Sequence, residues 1–197
     1  ARREPPPDGR SLADHVIEQA RAPKDTWDWS RYRPFVELAL QHDLPIVAAN
    51  LSRGAAARVA REGPDAVFAE EERAALALDR FDGLLATHQQ VVQAGHCNML
   101  PESALPGLAQ AQIARDAVLA KSLRPYLARG VVLLTGNGHA RRDIGVPRHL
   151  PAAEQARAWS IGLLEEGAEE RAPLFDVALV GPAQERPDPC AALKPKR

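Results

Sequence analysis

The chain has 197 residues, and its 25 Lys and Arg are almost balanced by 26 Asp and Glu. This length is sufficient for one domain with a hydrophobic core. The near-neutral charge, with no basic stripe, argues against a nucleic-acid partner, and no apolar run reaches the ~18 residues that predict a transmembrane helix.

The predicted elements alternate between helices and short apolar strands. Ser11 is a plausible N-cap for the first helix, and Pro125 predicts a kink in the last long one. The predicted helices are Ser11–Ala22, Tyr32–His42, Ala55–Glu62, Glu70–Gln93 and Leu105–Ala128, with partly helical structure over Ala152–Leu164. The predicted strands are Pro45–Asn50, Val131–Thr135 and the segment "LFDVALVG".

This alternation predicts an α/β fold, with a parallel-sheet core flanked by helices. Three strands make a thin sheet, so we expect N-terminal strands that are missing from this chain or are supplied by a partner. The opening "ARREPPPDGR" resembles a linker and is not a signal peptide. We therefore expect the natural protein to begin before it.

The two cysteines, Cys97 and Cys190, lie far apart in the sequence. They lack the close Cys/His spacing of a structural zinc site. The sequence alone leaves two alternatives open, a disulfide or two unrelated buried thiols.

The segment "VVLLTGNGHARRDIGVP" ends a predicted strand in glycines and a histidine. Ligands of open parallel sheets bind beyond the carboxyl ends of the strands, where Asn50, Asn137 and His139 are expected. "GNG" is also compatible with a simple turn, and it is not a phosphate loop because no Lys-Ser/Thr pair follows. Helix and strand rises of ~1.5 and ~3.3 Å per residue place Arg115, with its neighbour Asp116, at the height of His139. We expect Asn50, Arg115, Asn137 and His139 to converge there. We therefore expect these four side chains to line one cleft.

The same arithmetic places Tyr32 level with Asn50, with Trp27 and Trp29 just before it. A hydrophobic lid is the simpler interpretation of the two tryptophans. The loop that holds His96 and Met99 precedes the helix of Arg115 and is expected on the same side of the sheet, whereas Tyr126 is expected at the opposite rim.

Four segments in order resemble the ChaN family, a haem-binding, iron-uptake-associated lipoprotein family of the Tiki superfamily. They are "TWDWSRYRPFVELALQHDLPIVAANLSR", "HCNMLPES" with "AQAQIARDAVLAKSL", "VVLLTGNGHARRDIGVPRHL" and "DVALVGPAQERPDPC". The resemblance implies a single domain over residues 1–197, with a Pro-rich tail over 182–197. The family's opening Gly-Glu-x-His segment has no counterpart here, so the domain is expected to be incomplete at its N-terminus.

The resemblance implies a haem cofactor, bound at a homodimer interface with a tyrosine as iron ligand, and a role in iron acquisition or storage. The length arithmetic favours Tyr32 over Tyr126 as that ligand, with His96 or Met99 as the fallback. The residues expected around the haem are Tyr32, Trp27, Trp29, Asn50, Arg115, Asn137 and His139.

The wider superfamily implies an alternative, a metal-dependent hydrolase of the erythromycin-esterase type. Its second Gly-x-x-His motif matches "GNGH" and gives His139, and its helical arginine matches Arg115 of "ARDA". Its first histidine has no match here. We therefore favour a haem-binding protein over an enzyme.

The lipoprotein resemblance also predicts location. It implies a periplasmic or outer-membrane-associated protein, held at the membrane only by an N-terminal lipid anchor that is not in this chain. Disulfides persist in such oxidising compartments. On this basis we predict a disulfide between Cys97 and Cys190.

Overall fold

The structure is a computed structural model that describes residues 9–20, 28–79, 83–188 and 190–191. The chain divides into two compact units, residues 1–48 and residues 49–197, which are described separately below. The prediction of a single domain stays a prediction. Within the described ranges, no helix has the length and apolar content needed to cross a membrane.

The described residues form eight α-helices and two β-strands, with short 3-10 turns between them. The helices are α1 (Leu12–Ala20), α2 (Trp29–Gln41), α3 (Arg53–Glu62), α4 (Glu70–Ala75), α5 (Leu85–Gly95), α6 (Leu105–Leu123), α7 (Asn137–Ala140) and α8 (Ala152–Gln155). The strands are β1 (Ile161–Glu165) and β2 (Val177–Gly181).

In the first unit, α1 packs against α2. The Ser11 hydroxyl accepts a hydrogen bond from the Asp14 backbone N–H at 3.1 Å, which confirms the predicted N-cap of α1. Asp28 caps α2 in the same way, by accepting from the Ser30 backbone N–H at 3.3 Å. An ion pair between Arg33 and Asp14 joins the two helices.

In the second unit, α6 is the central element, and both α3 and α5 pack along it. Its buried side chains are mostly small, which lets neighbouring helices approach closely; they are Ala109, Ala111, Ile113, Ala114, Asp116, Ala117, Leu119 and Ala120. One apolar cluster joins α6 to α3 through Val59 and Ala114. A second cluster joins its C-terminal half to Val146 and Leu150.

α3 and α6 approach each other closely at Gly107. A Cβ atom added there would lie 2.0 Å from the Ala60 carbonyl oxygen, which is backbone and cannot rotate away. We expect Gly107→Ala to lower the free energy of unfolding by about 2 kcal/mol, as overpacking does. Gly54→Ala in α3 is the matched control, because a Cβ there meets nothing within 4 Å.

Urea unfolding at constant pH measures both variants. Gly54→Ala should be neutral or stabilising by up to about 1 kcal/mol, the intrinsic helix preference for alanine. If both variants behaved alike, the close approach of α3 and α6 would be wrong.

β1 and β2 form a parallel pair in which Ile161 lies opposite Val177 and Leu163 opposite Leu179. The predicted α/β class is therefore confirmed, with a small sheet. The predicted strand in "LFDVALVG" is β2, whereas β1 falls in a segment predicted to be partly helical up to Leu164. The helical prediction was wrong for the second half of that segment. Only Ala152–Gln155 is helical, as α8, whereas β1 buries alternate residues, Gly162 and Leu164, as a strand does.

The predicted strands Pro45–Asn50 and Val131–Thr135 form no strand within the described residues. A strand requires a neighbour that accepts and donates its backbone hydrogen bonds. Among the described residues, none provides a backbone hydrogen bond to Val131–Thr135. Leu133 packs on the second cluster, while the Val132 side chain is 92% exposed.

Two long predicted helices are not continuous α-helices in the structure. The helix predicted over Glu70–Gln93 is interrupted after α4, where Ala77 takes a left-handed φ of 53°, and helical structure resumes at α5. The helix predicted over Leu105–Ala128 is α-helical to Leu123 and then tightens into a 3-10 turn over Arg124–Arg129. Pro125 therefore ends the α-helix instead of kinking it.

Candidate functional site

A buried carboxylate and a histidine meet between α6 and α7. Asp116 is 1% exposed, and its Oδ1 accepts a hydrogen bond from Nδ1 of His139 at 2.6 Å. Burial raises the pKa of Asp116 to about 6, while the hydrogen bond from His139 and the charge of Arg115 oppose that rise. At neutral pH the pair is therefore an ionised carboxylate that holds the imidazole N–H.

His139 is positioned by the short helix α7, which follows Gly136. The His139 backbone N–H donates to the Gly136 carbonyl at 2.9 Å. The side chain is 23% exposed, and no described residue makes a hydrogen bond to its Nε2. Nε2 is therefore the ring atom that a ligand could reach.

A cleft of about 180 Å³ lies beside this pair. Three histidines line it, and each has one ring nitrogen bonded to a protein acceptor. His96 Nδ1 donates to the Val92 carbonyl at 2.8 Å, and His88 Nε2 donates to the Ile144 carbonyl at 3.2 Å. The full lining is His88, Val91, Val92, Gly95, His96, Gln112, Asp116, Gly138, His139 and Ile144.

Arg115 and its neighbour Asp116 have different hydrogen-bond partners. Its Nη1 donates to Asn50 Oδ1 at 3.0 Å and to the Leu51 carbonyl at 3.1 Å. Burial, with the nearby charge of Arg53, lowers the pKa of Arg115 from its ordinary value. Arg115 and Asn50 thus form a hydrogen-bonded pair one residue away from the carboxylate of the cleft.

Asn137 lies against β1. Its Nδ2 donates to the Leu163 carbonyl at 2.6 Å, and its Oδ1 accepts from the Leu163 backbone N–H at 3.3 Å. Of the four side chains expected to share a cleft, only His139 is part of the cleft lining. Asn50 and Arg115 bond to each other, and Asn137 bonds to the sheet.

The remaining predicted residues fall in several places. His96 lines the cleft, whereas Met99 is exposed. Tyr32 and Trp29 belong to the first unit, where their rings meet edge to face at 6.3 Å. Trp27 lies outside the described residues, and the expected level of Tyr32 with Asn50 stays a prediction.

A disulfide joins Cys97 to Cys190, with 5.7 Å between their Cα atoms. Cys97 directly follows His96 of the cleft. Both Cys97 and Asn98 take left-handed φ values, 59° and 56°, which non-glycine residues rarely adopt. The bond thus fixes the tail residue 190 to the loop at the edge of the cleft.

Two residues of the cleft lining, Asp116 and His88, were not predicted as site residues, although the length arithmetic places Asp116 beside Arg115 at the height of His139. Asp116 had a recognisable signal, because it is an acidic residue on the buried face of α6, between Ile113 and Ala117. Buried carboxylates are rare unless they are paired. His88 had no signal of its own, since a single histidine within a helix is ordinarily part of the core.

The second unit is thus an α/β structure with a small cleft, in which a buried carboxylate holds a histidine. Among the described residues, no three His, Cys, Asp or Glu side chains lie close enough together to hold a metal ion. A family model described as "Haem-binding uptake, Tiki superfamily, ChaN" matches residues 9–150.

The chain therefore belongs to the ChaN family of haem-binding uptake proteins in the Tiki superfamily. No curated protein matches the chain. No solved structure matches it either.

Proposed function

We propose that this protein binds haem and serves in iron acquisition or storage. The observation that carries the proposal is His139, whose Nδ1 is held by Asp116 and whose Nε2 has no described partner beside an apolar-walled cleft. Membership of a haem-binding uptake family supports the same ligand.

The histidines of the cleft are of the kind that would hold haem iron. Bound haem would supply an iron with four porphyrin nitrogens, so the protein needs to add only one or two donor atoms, for which imidazole is suitable. Val91, Val92 and Ile144 give the cleft apolar walls. Its volume of about 180 Å³ lies below the ~300 Å³ at which pockets begin to enclose a ligand of drug size, so it would leave much of the macrocycle uncovered.

Tyr32 is a separate proposed donor, implied by the family resemblance and located in the first unit. Its ring is half-buried against Trp29. A tyrosine normally loses its proton near pH 10, and iron coordination would stabilise the phenolate. Because Tyr32 and His139 belong to different units, each is tested by itself.

The test is a titration of the protein with ferric haem, followed by absorbance in the Soret region. We expect saturable binding by the wild type. The affinity of His139→Ala should be weaker than that of the wild type by about tenfold or more. His42→Ala is the matched control, because His42 is an exposed C-cap of α2 and should leave affinity unchanged. Tyr32→Phe is measured alongside.

The outcomes separate the donors. An unchanged spectrum and affinity in Tyr32→Phe would remove Tyr32 as a ligand, and the same result in His139→Ala would remove His139. No saturable binding by the wild type would overturn the proposed function.

A hydrolase is the second candidate, and the Asp116–His139 pair is the observation that favours it. A carboxylate that orients a histidine is also the arrangement of a general base. Arg115, which the superfamily resemblance implies for such a site, bonds to Asn50 and to the Leu51 carbonyl and does not line the cleft. Hydrolysis of a simple activated ester by the wild type, lost in His139→Ala and kept in His42→Ala, would support this candidate.

We also propose that the protein works outside the cytoplasm, as a periplasmic or outer-membrane-associated lipoprotein. The Cys97–Cys190 disulfide supports an oxidising compartment. The homodimer and the lipid anchor stay proposals that rest on the resemblance. Light scattering with and without haem tests the dimer.

A further inference from the structure

The carboxylate of Asp116 has an unusual position for a charged group. It lies on the alanine-rich buried face of α6 and is 1% exposed. Burying an unpaired carboxylate is costly, so such a group persists where a partner satisfies it. That partner is His139, at 2.6 Å from Nδ1 to Oδ1.

Arg115, the neighbouring cation on α6, does not form this pairing. Its guanidinium donates to Asn50 and to the Leu51 carbonyl. Asp116 is therefore directed at the imidazole, and its oxygen can accept only if Nδ1 carries the proton.

The backbone around His139 is also fixed on two sides. Asn137, two residues earlier, is bonded to the main chain of Leu163 in β1. Gly145 packs so closely beneath the segment that an added Cβ would lie 2.3 Å from the His139 carbonyl oxygen. With the backbone held, the hydrogen bond to Asp116 decides the ring orientation and which nitrogen is left unprotonated.

We propose that Asp116 is the positioning residue for His139: it holds the Nδ1–H tautomer and thereby presents an unprotonated Nε2 to the cleft as a donor atom. Histidines that bind metals commonly have their second nitrogen fixed in this way by a carboxylate or a carbonyl. That the atom bound by Nε2 is haem iron rests on the proposed function. The positioning of His139 by Asp116 does not depend on the proposed function.

The first arm of the test uses no haem. Nitrogen-15 NMR of the whole chain reports which nitrogen of His139 carries the proton. We expect Nδ1–H in the wild type and a loss of this preference in Asp116→Leu. Asp116→Asn keeps the size of the side chain, but its amide N–H can donate to Nδ1, so the preference for Nδ1–H should fall here too. This variant covers the case in which Asp116→Leu fails to fold.

Asp143→Asn is the matched control, since Asp143 pairs with Arg141 on the segment after α7, and within the described residues no hydrogen bond joins it to the His139 ring. In this variant the tautomer of His139 should be the same as in the wild type. A proton on Nε2 in the wild type, or a tautomer indifferent to both Asp116 variants, would overturn the proposal. A merely structural ion pair would give the first of these results, because an imidazolium carries a proton on both nitrogens.

The second arm measures haem affinity in a double-mutant cycle. Asp116→Asn should weaken binding about tenfold, as loss of such a supporting group typically does, and this effect should vanish in a His139→Ala background. An Asp116 effect that persists without His139 would contradict the proposal. Absent haem binding combined with an Asp116-dependent tautomer would refute the proposed function and leave the positioning role intact.

Discussion

Cys190→Ser is expected to lower the free energy of unfolding by about 4 kcal/mol. The disulfide between Cys97 and Cys190 spans 93 positions of the chain. In the chain-entropy account, closing a loop of this length restricts the unfolded state by about 4 to 5 kcal/mol at 25 °C. This is a large share of the ~5–15 kcal/mol that holds a typical domain folded.

Denaturant unfolding with and without a reductant measures the effect. Wild-type protein in reductant should match Cys190→Ser, and the variant itself should not respond to reductant. Cys97→Ser is a weaker test, because its backbone takes the left-handed φ of 59° next to the cleft. A wild-type midpoint that does not move in reductant would show that the bond contributes no stability.

Acid is expected to destabilise the protein through His149. Burial, with the charges of His88 and Arg148, lowers the pKa of His149 from 6.5 to about 4. The folded state thus binds the proton less tightly than the unfolded state, so the contribution of His149 is full above about pH 6.5 and is lost as the pH falls towards 4. Complete protonation costs about 3 kcal/mol, and about 2 kcal/mol of this is lost by pH 5.

The readout is the difference in unfolding free energy between the wild type and His149→Gln at pH 7 and at pH 5. The difference is needed because other groups titrate in the same range. Burial also lowers the pKa of His88, which adds to the loss, whereas the raised pKa of Asp116 opposes it. The wild type should lose about 2 kcal/mol relative to His149→Gln over this interval. His42→Gln is the control and should show no such change.

The strands show what a sequence can predict and where it stops. The strand predicted in "LFDVALVG" is confirmed, because β2 has a neighbour, β1, that makes hydrogen bonds with its backbone. Val131–Thr135 has an equally strong strand composition, yet no described residue bonds to its backbone. Composition is local, whereas a strand depends on a partner that is distant in the sequence. β1 was missed for the same reason. Its residues were included in the partly helical segment predicted over Ala152–Leu164, of which only Ala152–Gln155 is α-helical.

The candidate site shows a similar division. The lengths of helices and strands predict the level of Arg115 along the sheet, because rise per residue is nearly constant. They could not give the direction of each side chain. Adjacent residues of a helix point about 100° apart, and this angle sends Arg115 to Asn50 and Asp116 to His139. Choosing between the two required the burial of Asp116, which depends on how α3 and α5 cover α6.

Asn137 has a consequence for the behaviour of the protein at high concentration. β1 pairs with β2 along one edge, and its other edge carries the Leu163 backbone with a side chain that is 58% exposed. An apolar strand edge is a template on which other molecules add strands and aggregate. The Asn137 amide already takes both the N–H and the carbonyl of Leu163. An incoming strand would have to displace this side chain before pairing, so the residue that begins the His139 helix also protects the sheet against edge-to-edge association.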